Sequence, residues 1–344
     1  MIETIRDSAF GKLLRLLSGG SLLQYPEEMD DSAWYTYLQT SETGQPEEST
    51  ESNDEGLLQT YGLYAVMSQA SSRSRRGPRG KIPEIISWGG PNDSENPQNW
   101  STDKKIFVSL LIWLLTFSIY IGSAIYTPGI PGVSEQFHVS REVAVLGLTL
   151  FVLGYGLGPM IWAPLSELPA VGRSPVYVVT LVIFVFFQFA VIYAKNIGML
   201  LAFRFLTGFL GSPVLATGGA SMGDIWDPRV RDYMIAIWGC FAISAPVLGP
   251  LVGGFAFSAE GWTWTIWELL WISGLALFVL FFFLPETFAP SIISRRARRV
   301  RRITGDQKYA SRAEIEIAGV SSKDVLIEAL IRPIELCFLE PSSF

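Results

Sequence analysis

The sequence of 344 residues has few of the side chains that bind metals or form disulfides. It contains two cysteines and one histidine, which are too few for a disulfide framework or a cluster of metal ligands. It has no glycine loop ending in Lys-Ser or Lys-Thr to hold phosphates, and no nucleophile elbow joins a strand to a helix. The sequence therefore predicts no enzyme, and no metal or nucleic-acid partner is expected.

Charge is scarce in the middle of the chain. Apolar residues make up 49% of the sequence and the mean hydropathy is +0.32, values typical of a membrane protein. Six apolar stretches follow one another, and each can cross a hydrocarbon layer of roughly 30 Å at about 1.5 Å per residue. We therefore expect an all-α membrane domain over residues 105–286, with six transmembrane helices at about 106–126, 143–165, 175–194, 197–222, 233–259 and 262–284.

Basic residues gather in every second connecting segment of this domain. The segments before the first stretch and after the second, fourth and sixth contain Lys104, Lys105, Arg173, Arg229, Arg231 and a run of six arginines. The opposite segments contain only Arg141 and Lys195. Because lysine and arginine concentrate on the cytoplasmic side of membrane proteins, both termini are predicted to be cytoplasmic.

The two flanking regions differ in charge. Residues 1–104 are predicted to be an acidic, largely disordered tail, because Glu27 to Glu55 offers few large apolar side chains to bury. Its first 20 residues are either a short amphipathic helix on the membrane surface or part of that tail. Residues 287–344 are predicted to be a basic cytoplasmic segment, whose arginines between Arg295 and Arg302 set the topology and attract anionic lipid.

The fifth apolar stretch, Tyr233 to Ala259, has an unusual middle. It combines two prolines with small residues at a spacing of about four: Ala245, Pro246, Gly249, Pro250, Gly253 and Gly254. Small residues at this spacing let two helix backbones touch, and each proline removes an intrahelical hydrogen bond. The pattern predicts a helix that packs closely against a neighbour and bends. A tight helix contact with a structural kink is the simpler alternative.

The turn between the second and third stretches carries charge beside small residues. It contains Pro164, Ser166, Glu167, Gly172 and Arg173. Because a helix C-terminus has partial negative charge, Arg173 is well placed there, and Glu167 can pair with it or with a neighbouring helix N-terminus. Such a pair would form a latch that opens when helices rock. A charged turn at an interface is the alternative.

Two charged residues lie inside predicted membrane helices. An arginine at a helix centre costs about 2.5–3.5 kcal/mol on insertion scales, so Arg204 is a functional candidate unless its side chain extends outward to the interface. Glu268 is expected at a similar depth, and we hypothesise that it pairs with Arg204 or is protonated in one state. Four aromatic residues of the first helix are candidates for a substrate cavity, although packing against lipid explains them equally well: Trp113, Phe117, Tyr120 and Tyr126.

These motifs together resemble the fungal multidrug-resistance transporters of the drug:proton antiporter family, within the major facilitator superfamily. The resemblance covers about residues 96–340 and includes N-P-Q-N-W-S, P-L-S-E…G-R, the stretch from Arg204 to Gly208, A-P-V-L-G-P-L-V-G-G and L-P-E-T-F-A-P. The sequence departs from the family pattern where Pro164 replaces a glycine, Glu167 an aspartate and Thr207 a glutamine. The resemblance implies proton coupling at Arg204, a gate at the P-L-S-E turn and an antiporter motif in the fifth helix.

The resemblance implies a protein of the plasma membrane that exports drugs, toxicants or secondary metabolites by alternating access. A proton gradient would drive the export, and no cofactor is expected. The partners would be a small-molecule substrate, protons and the lipid bilayer. Family members continue beyond the segment that here runs from Arg332 to Pro341, so we expect a truncated form holding one six-helix half. A homodimer is expected only if the half is functional. The alternatives are half of a sugar or other solute porter, or a membrane scaffold or sensor that does not transport.

Overall fold

The computed structural model describes residues 2–29, 33–38 and 84–318. Six of its helical segments are long and apolar enough to cross a membrane. We number them spans 1 to 6: Thr102–Phe137, Arg141–Ser166, Arg173–Ile192, Ile197–Ile225, Pro228–Glu260 and Trp262–Phe283. The predicted all-α fold with six spans is confirmed. Span 5 starts five residues earlier than expected, because Pro228 occupies the first helical position and the Asp227 carboxylate accepts from the backbone N–H of Arg229.

The described residues contain fourteen α-helices, three short 3-10 helices (Ala33–Tyr37, Pro97–Asn99 and Thr127–Gly129) and two short strands. The helices are α1 Ile2–Asp7, α2 Ala9–Leu17, α3 Pro26–Met29, α4 Thr102–Ala124, α5 Ile130–Phe137, α6 Arg141–Leu157, α7 Pro159–Ser166, α8 Arg173–Ile192, α9 Ile197–Gly211, α10 Pro213–Ile225, α11 Pro228–Glu260, α12 Trp262–Phe283, α13 Ala289–Thr304 and α14 Arg312–Ala318. The strands are β1 Glu84–Ile86 and β2 Tyr309–Ser311. Spans 2 and 4 each consist of two helices, and the second begins at a proline, which lacks the N–H needed to continue the hydrogen-bond ladder.

The chain divides into two compact units. The membrane unit consists of residues 2–23 and 97–288, and the second unit consists of the described residues within 24–96 and 289–318. In the membrane unit, span 1 packs against spans 5 and 6, and span 4 packs against spans 2 and 3. The apolar part of span 1 is 61% buried and that of span 5 only 11%, so span 1 is central and span 5 peripheral.

Spans 2 and 4 approach each other backbone to backbone. A Cβ atom at Gly154 would overlap the carbonyl oxygen of Phe205, and one at Gly208 would overlap the carbonyl oxygen of Phe151. The indole Nε1 of Trp162 donates to the carbonyl of Phe209 at 3.0 Å, at the same contact. Because neither glycine has a side chain, the two helices can touch along several turns.

The second unit has a core of its own. Strands β1 and β2 pair in parallel, with Ile85 opposite Ala310. A cluster of buried side chains from both parts of this unit packs beside them: Trp34, Tyr37, Ile86, Ala297, Val300 and Tyr309. This architecture joins residues that precede span 1 to residues that follow span 6.

Parts of the predicted N-terminal tail lie among the described residues and are folded. Helices α1 and α2 form part of the membrane unit, where the ring of Phe10 lies 4.7 Å from that of Phe282 in span 6. Residues 24–29, 33–38 and 84–96 belong to the second unit, because their aromatic side chains find apolar partners on α13. The rest of the predicted disordered stretch, and the segment from Arg332 to Pro341, lie outside the described residues.

The close contact of spans 2 and 4 predicts a position-specific effect of added volume. Gly154→Leu should lower the free energy of unfolding by about 2 kcal/mol or more, because the backbone of span 4 blocks the new side chain. Gly156→Leu is the matched control, since no atom lies within 4 Å of a Cβ built there. Thermal unfolding in detergent, followed by tryptophan fluorescence, measures both. Equal melting temperatures for the two variants would contradict the proposed contact.

Candidate functional site: two buried arginines in the membrane unit

Arg204 lies in α9 of span 4 and is fully buried. Its Nε donates to the carbonyl oxygen of Gly147 in span 2 at 3.1 Å, and its Nη2 donates to the carbonyl oxygen of Gly122 in span 1 at 3.0 Å. One guanidinium group therefore connects three spans. The accepting residues are glycines that lie against neighbouring side chains, so their carbonyls come within reach of a side chain from another helix.

Two aromatic rings enclose the same guanidinium group. Its central carbon lies 4.5 Å from the ring centroid of Phe151 and 4.7 Å from that of Tyr126, which is cation–π geometry. The Tyr126 hydroxyl donates to the carbonyl of Ala144 at 2.9 Å. Tyr126 is 0% exposed and is part of the enclosure of Arg204. Its predicted contact with a substrate stays a prediction.

Glu268 does not pair with Arg204, contrary to the hypothesis from the sequence. Within the described residues no ion pair joins them, and both bonded nitrogens of Arg204 are taken by backbone carbonyls. Arg204 Nη1 has no hydrogen-bond partner, and neither does the buried Oε2 of half-buried Glu268. Thr207 does not supply a partner either, because its hydroxyl donates to the Arg204 carbonyl of its own helix at 3.0 Å. The site thus holds a buried cation with one unused donor.

A second fully buried arginine, Arg173, begins span 3. Its Nε lies 2.8 Å from Oδ2 of Asp224 near the end of span 4, and its Nη1 donates to the carbonyl of Thr217 at 3.3 Å. The preceding Gly172 has φ +82°, a backbone conformation that favours glycine. This ion pair fixes the turn between spans 2 and 3 to span 4.

Glu286, in the segment after span 6, binds the same helix start. Its Oε1 accepts from the backbone N–H of Arg173 at 2.9 Å and from that of Ser174 at 3.4 Å. A carboxylate at a helix N-terminus satisfies orphan N–H groups and complements the helix dipole. The ring of Phe288 lies 5.3 Å from the Arg173 guanidinium. Residues from spans 3 and 4 and from the segment after span 6 therefore meet in one charged cluster.

Sequence reasoning identified Arg173 and missed its carboxylates. Asp224 is separated from Arg173 by 51 positions and Glu286 by 113, so no local pattern could join them. Two signals were present in the sequence. An acidic residue, Asp224, ends an apolar stretch, and Glu286 stands in the L-P-E-T motif.

Glu167 lies beside this cluster without closing it. Its carboxylate has no ion-pair partner among the described residues, because the Arg173 guanidinium pairs with Asp224. Burial raises the pKa of Glu167 to about 7, with Arg173 lowering it and Asp224 raising it. The neighbouring Ser166 is buried, and its hydroxyl donates to the carbonyl of Ala163 at 2.8 Å. Pro164 lies inside α7.

The proline and glycine motif of span 5 presents a small-residue face to span 1. A stripe along α11 is buried: Ala242, Ala245, Gly249, Gly253 and Ala256. A Cβ at Gly249 would lie 2.9 Å from the backbone nitrogen of Ile125, which agrees with the predicted close packing. Pro250 is exposed and Pro246 half-buried, and α11 continues through both over 33 residues. Gly254 has open space around it.

The remaining aromatic candidates of span 1 face neighbouring spans. The ring of Trp113 stacks on Phe241 of span 5 at 5.5 Å, and the ring of Tyr120 meets Tyr155 of span 2 edge-on at 5.0 Å. Trp113 is buried, whereas Phe117 and Tyr120 are half-buried. Their contact with substrate stays a prediction.

Six spans around two buried arginines are the architecture of a multi-pass membrane protein. Residues 112–335 match the model of the Major Facilitator Superfamily. Transporter mfs1 of Schizosaccharomyces pombe is 38% identical over 341 residues, 98% of this chain and 59% of its own length. The cycloheximide resistance protein of Candida maltosa is 35% identical over 353 residues, 100% of this chain and 62% of its own length.

A third relative, fluconazole resistance protein 1 of Saccharomyces cerevisiae, is 44% identical over 260 residues, 76% of this chain and 47% of its own length. The chain belongs to the major facilitator superfamily, a family of membrane transporters rather than enzymes. The predicted family, fold class and resemblance to fungal multidrug-resistance transporters are confirmed. The chain spans about half to three fifths of the length of these relatives.

The raised pKa of Glu167 predicts a pH-dependent stability. Its folded pKa of about 7 exceeds the usual 4.5, so the folded state keeps a proton that the unfolded state releases. Stability is therefore lost as the pH rises from about 4.5 to about 7. Glu167→Gln should raise the melting temperature at pH 8 and change it little at pH 5. The exposed Glu135→Gln is the control, and an equal effect of Glu167→Gln at both pH values would refute the assignment.

Proposed function

We propose that the chain forms the first six-span half of a proton-coupled exporter of drugs, toxicants or secondary metabolites. The observation that carries the proposal is Arg204, a charge buried between spans 1, 2 and 4. Among the residues that the structure describes, its partners are backbone carbonyls and not carboxylates. Burying an unpaired charge in a membrane protein is costly, and such residues mark ion or substrate pathways. The relatives named for resistance to cycloheximide and fluconazole support the class of substrate.

We place both termini in the cytoplasm and the protein in the plasma membrane. Spans 2, 4 and 6 end on the side of the bilayer where span 3 begins, and this is the side that carries Arg173, Arg229 and Arg231. The positive-inside rule makes that side cytoplasmic. The cluster of Arg173, Asp224 and Glu286 then lies at the cytoplasmic ends of the spans.

This cluster is suited to act as a gate during alternating access. It holds the start of span 3 to span 4 through the Arg173–Asp224 ion pair, and to the segment after span 6 through charge-assisted hydrogen bonds. Rocking of the spans would separate these groups and expose their charges to water. Hydration stabilises the separated charges, so breaking the pair costs less than it would if both groups stayed buried. The interaction would then favour one of two states, as a reversible latch does.

Proton coupling would use the two intramembrane charges in different ways. Arg204 is held on three sides and supplies a fixed positive charge with one donor left for a substrate, a water or a carboxylate. Glu268 would carry the proton in one of the two states. Because both side chains have an unused polar atom inside the membrane unit, a change of partner does not require breaking a saturated pair.

The substrate would occupy a cavity near the half-buried face of span 1. Phe117 and Tyr120 offer apolar and aromatic surface there, which suits flat apolar compounds. The family's cavity lies between two six-helix halves. A second half would complete the cavity wall in the exporter, and a second copy of this chain is the alternative.

The test of this function is drug export in a yeast strain lacking its own pumps. Two proteins are expressed. The first is the 344-residue chain alone, and the second is the same chain joined to the part of transporter mfs1 that follows the aligned region. The joined form should export a fluorescent drug and permit growth on cycloheximide. Arg204→Lys should reduce export by about tenfold or more, because lysine keeps the charge but lacks the planar fork that reaches two carbonyls.

Two further variants sharpen this test. Glu268→Gln should abolish substrate-dependent proton flux in proteoliposomes. Lys195 is exposed just after span 3, and Lys195→Gln, which also removes one charge, should leave export intact. Full export by Arg204→Lys would show that the planar fork of Arg204 is not needed for export and that a positive charge at this position is sufficient. Export by the 344-residue chain alone would favour the second copy as partner.

A further inference from the structure

Two arginines of α13 are enclosed by carboxylates from the N-terminal part of the second unit. Arg296 is 1% exposed; its Nη1 lies 2.7 Å from Oδ2 of Asp93 and its Nη2 lies 3.0 Å from Oε2 of Glu95. Arg299 forms ion pairs with Glu95 at 3.3 Å and with Glu27, whose side chain is fully buried. All three acids precede span 1, and both arginines follow span 6.

Aromatic rings from the same N-terminal part cover both guanidinium groups. The central carbon of Arg296 lies 4.1 Å from the ring centroid of Tyr37 and 5.4 Å from that of Trp88. That of Arg299 lies 3.6 Å from the ring centroid of Tyr25. Stacking on an aromatic face desolvates a guanidinium group while still stabilising its charge. The contact therefore recognises arginine in particular and not positive charge in general.

The helix period divides the arginine run into two faces. Arg296, Ala297 and Val300 are buried on one side of α13. The side chains of Ala297 and Val300 belong to the core of the second unit. Arg298 and Arg302 are exposed on the opposite side. Backbone hydrogen bonds also join the N-terminal part of the second unit to the residues that follow α13. The N–H of Glu84 donates to the carbonyl of Lys308 at 3.0 Å, at the start of the β1–β2 pair.

We propose that the buried face of α13 is a protein-recognition surface for an acidic, aromatic peptide, and that the described residues of the N-terminal segment 24–96 are that peptide. This assignment differs from the expectation that the whole arginine run contacts anionic lipid. A guanidinium group that is ion-paired to two carboxylates and covered by two rings has no face left for a lipid phosphate. The stretch before span 1 and the stretch after span 6 are thereby fastened to each other.

The electrostatics of Asp93 agree with a contact that persists at neutral pH. Burial acts to raise the pKa of Asp93, but hydrogen bonding and charge pairing with Arg296 outweigh it and keep this pKa below its ordinary value. Asp93 thus stays ionised, and removing Arg296 would take the paired guanidinium group away from this buried carboxylate. Such a loss is more destabilising than the loss of an exposed pair.

Hydrogen–deuterium exchange of the full chain in nanodiscs of phosphatidylcholine tests this docking. Arg296→Gln should accelerate exchange of the amides in residues 84–96 by about tenfold or more, although these residues are 200 positions away in sequence. Asp93→Asn should in turn accelerate exchange in residues 305–311. Arg302→Gln is the matched control, because it removes one charge from the exposed face of the same helix, and it should change neither region by more than about twofold.

Two outcomes would overturn the proposal. The first is that Arg296→Gln accelerates exchange only in α13 itself, which would mean that the N-terminal segment does not depend on this contact. The second is found by repeating the experiment with about one third phosphatidylserine. If anionic lipid competes for the buried arginines, exchange in residues 84–96 will rise in the unaltered chain; the proposal expects no change.

Discussion

A guanidinium group without a carboxylate partner has to be satisfied by backbone oxygen atoms, and the packing of spans 1, 2 and 4 depends on this requirement. Arg204 reaches the carbonyls of Gly122 and Gly147, which belong to two different spans. A Cβ at Gly147 would lie 2.7 Å from the Tyr126 hydroxyl oxygen, in the ring system that covers the guanidinium group. The glycines of the central spans are thus tied to the buried charge.

The same need is met differently at the ends of the spans. Arg173 lies where span 3 begins, and it has Asp224 as an ion-pair partner, while Glu286 binds the adjacent N–H groups. Carboxylates suit this place because helix N-termini present unpaired N–H groups and partial positive charge. Deeper in the membrane unit the polar partners of Arg204 are neutral. In the proposed alternating access, movement of the helix ends would break the cluster of Arg173, Asp224 and Glu286 and leave the contacts of Arg204 assembled.

Hydropathy was sufficient to place all six spans, because each is a continuous apolar stretch whose ends are marked by proline, glycine or charge. Motif reasoning also found Arg173, Gly172 and the small-residue face of α11 for sound local reasons. It could not find Asp224 or Glu286 as partners, since distances of 51 and 113 positions are set by tertiary packing. The folded parts of the N-terminal segment were not predicted either, for a related reason. Its aromatic residues are too sparse to form a core alone, and α13 supplies the missing apolar and cationic surface.

Three buried arginines show why residue type alone does not define a role. Arg296 is neutralised by two carboxylates and covered by rings, which is an arrangement that fastens two segments. Arg173 is paired with Asp224 and lies where helix ends meet, which is the arrangement on which the proposed latch rests. Among the described residues Arg204 has no carboxylate partner and its Nη1 has no hydrogen bond, which leaves a donor for the proposed exchange of partners. The number of charges already matched, more than the burial of the arginine, separates a structural contact from a site that can exchange partners.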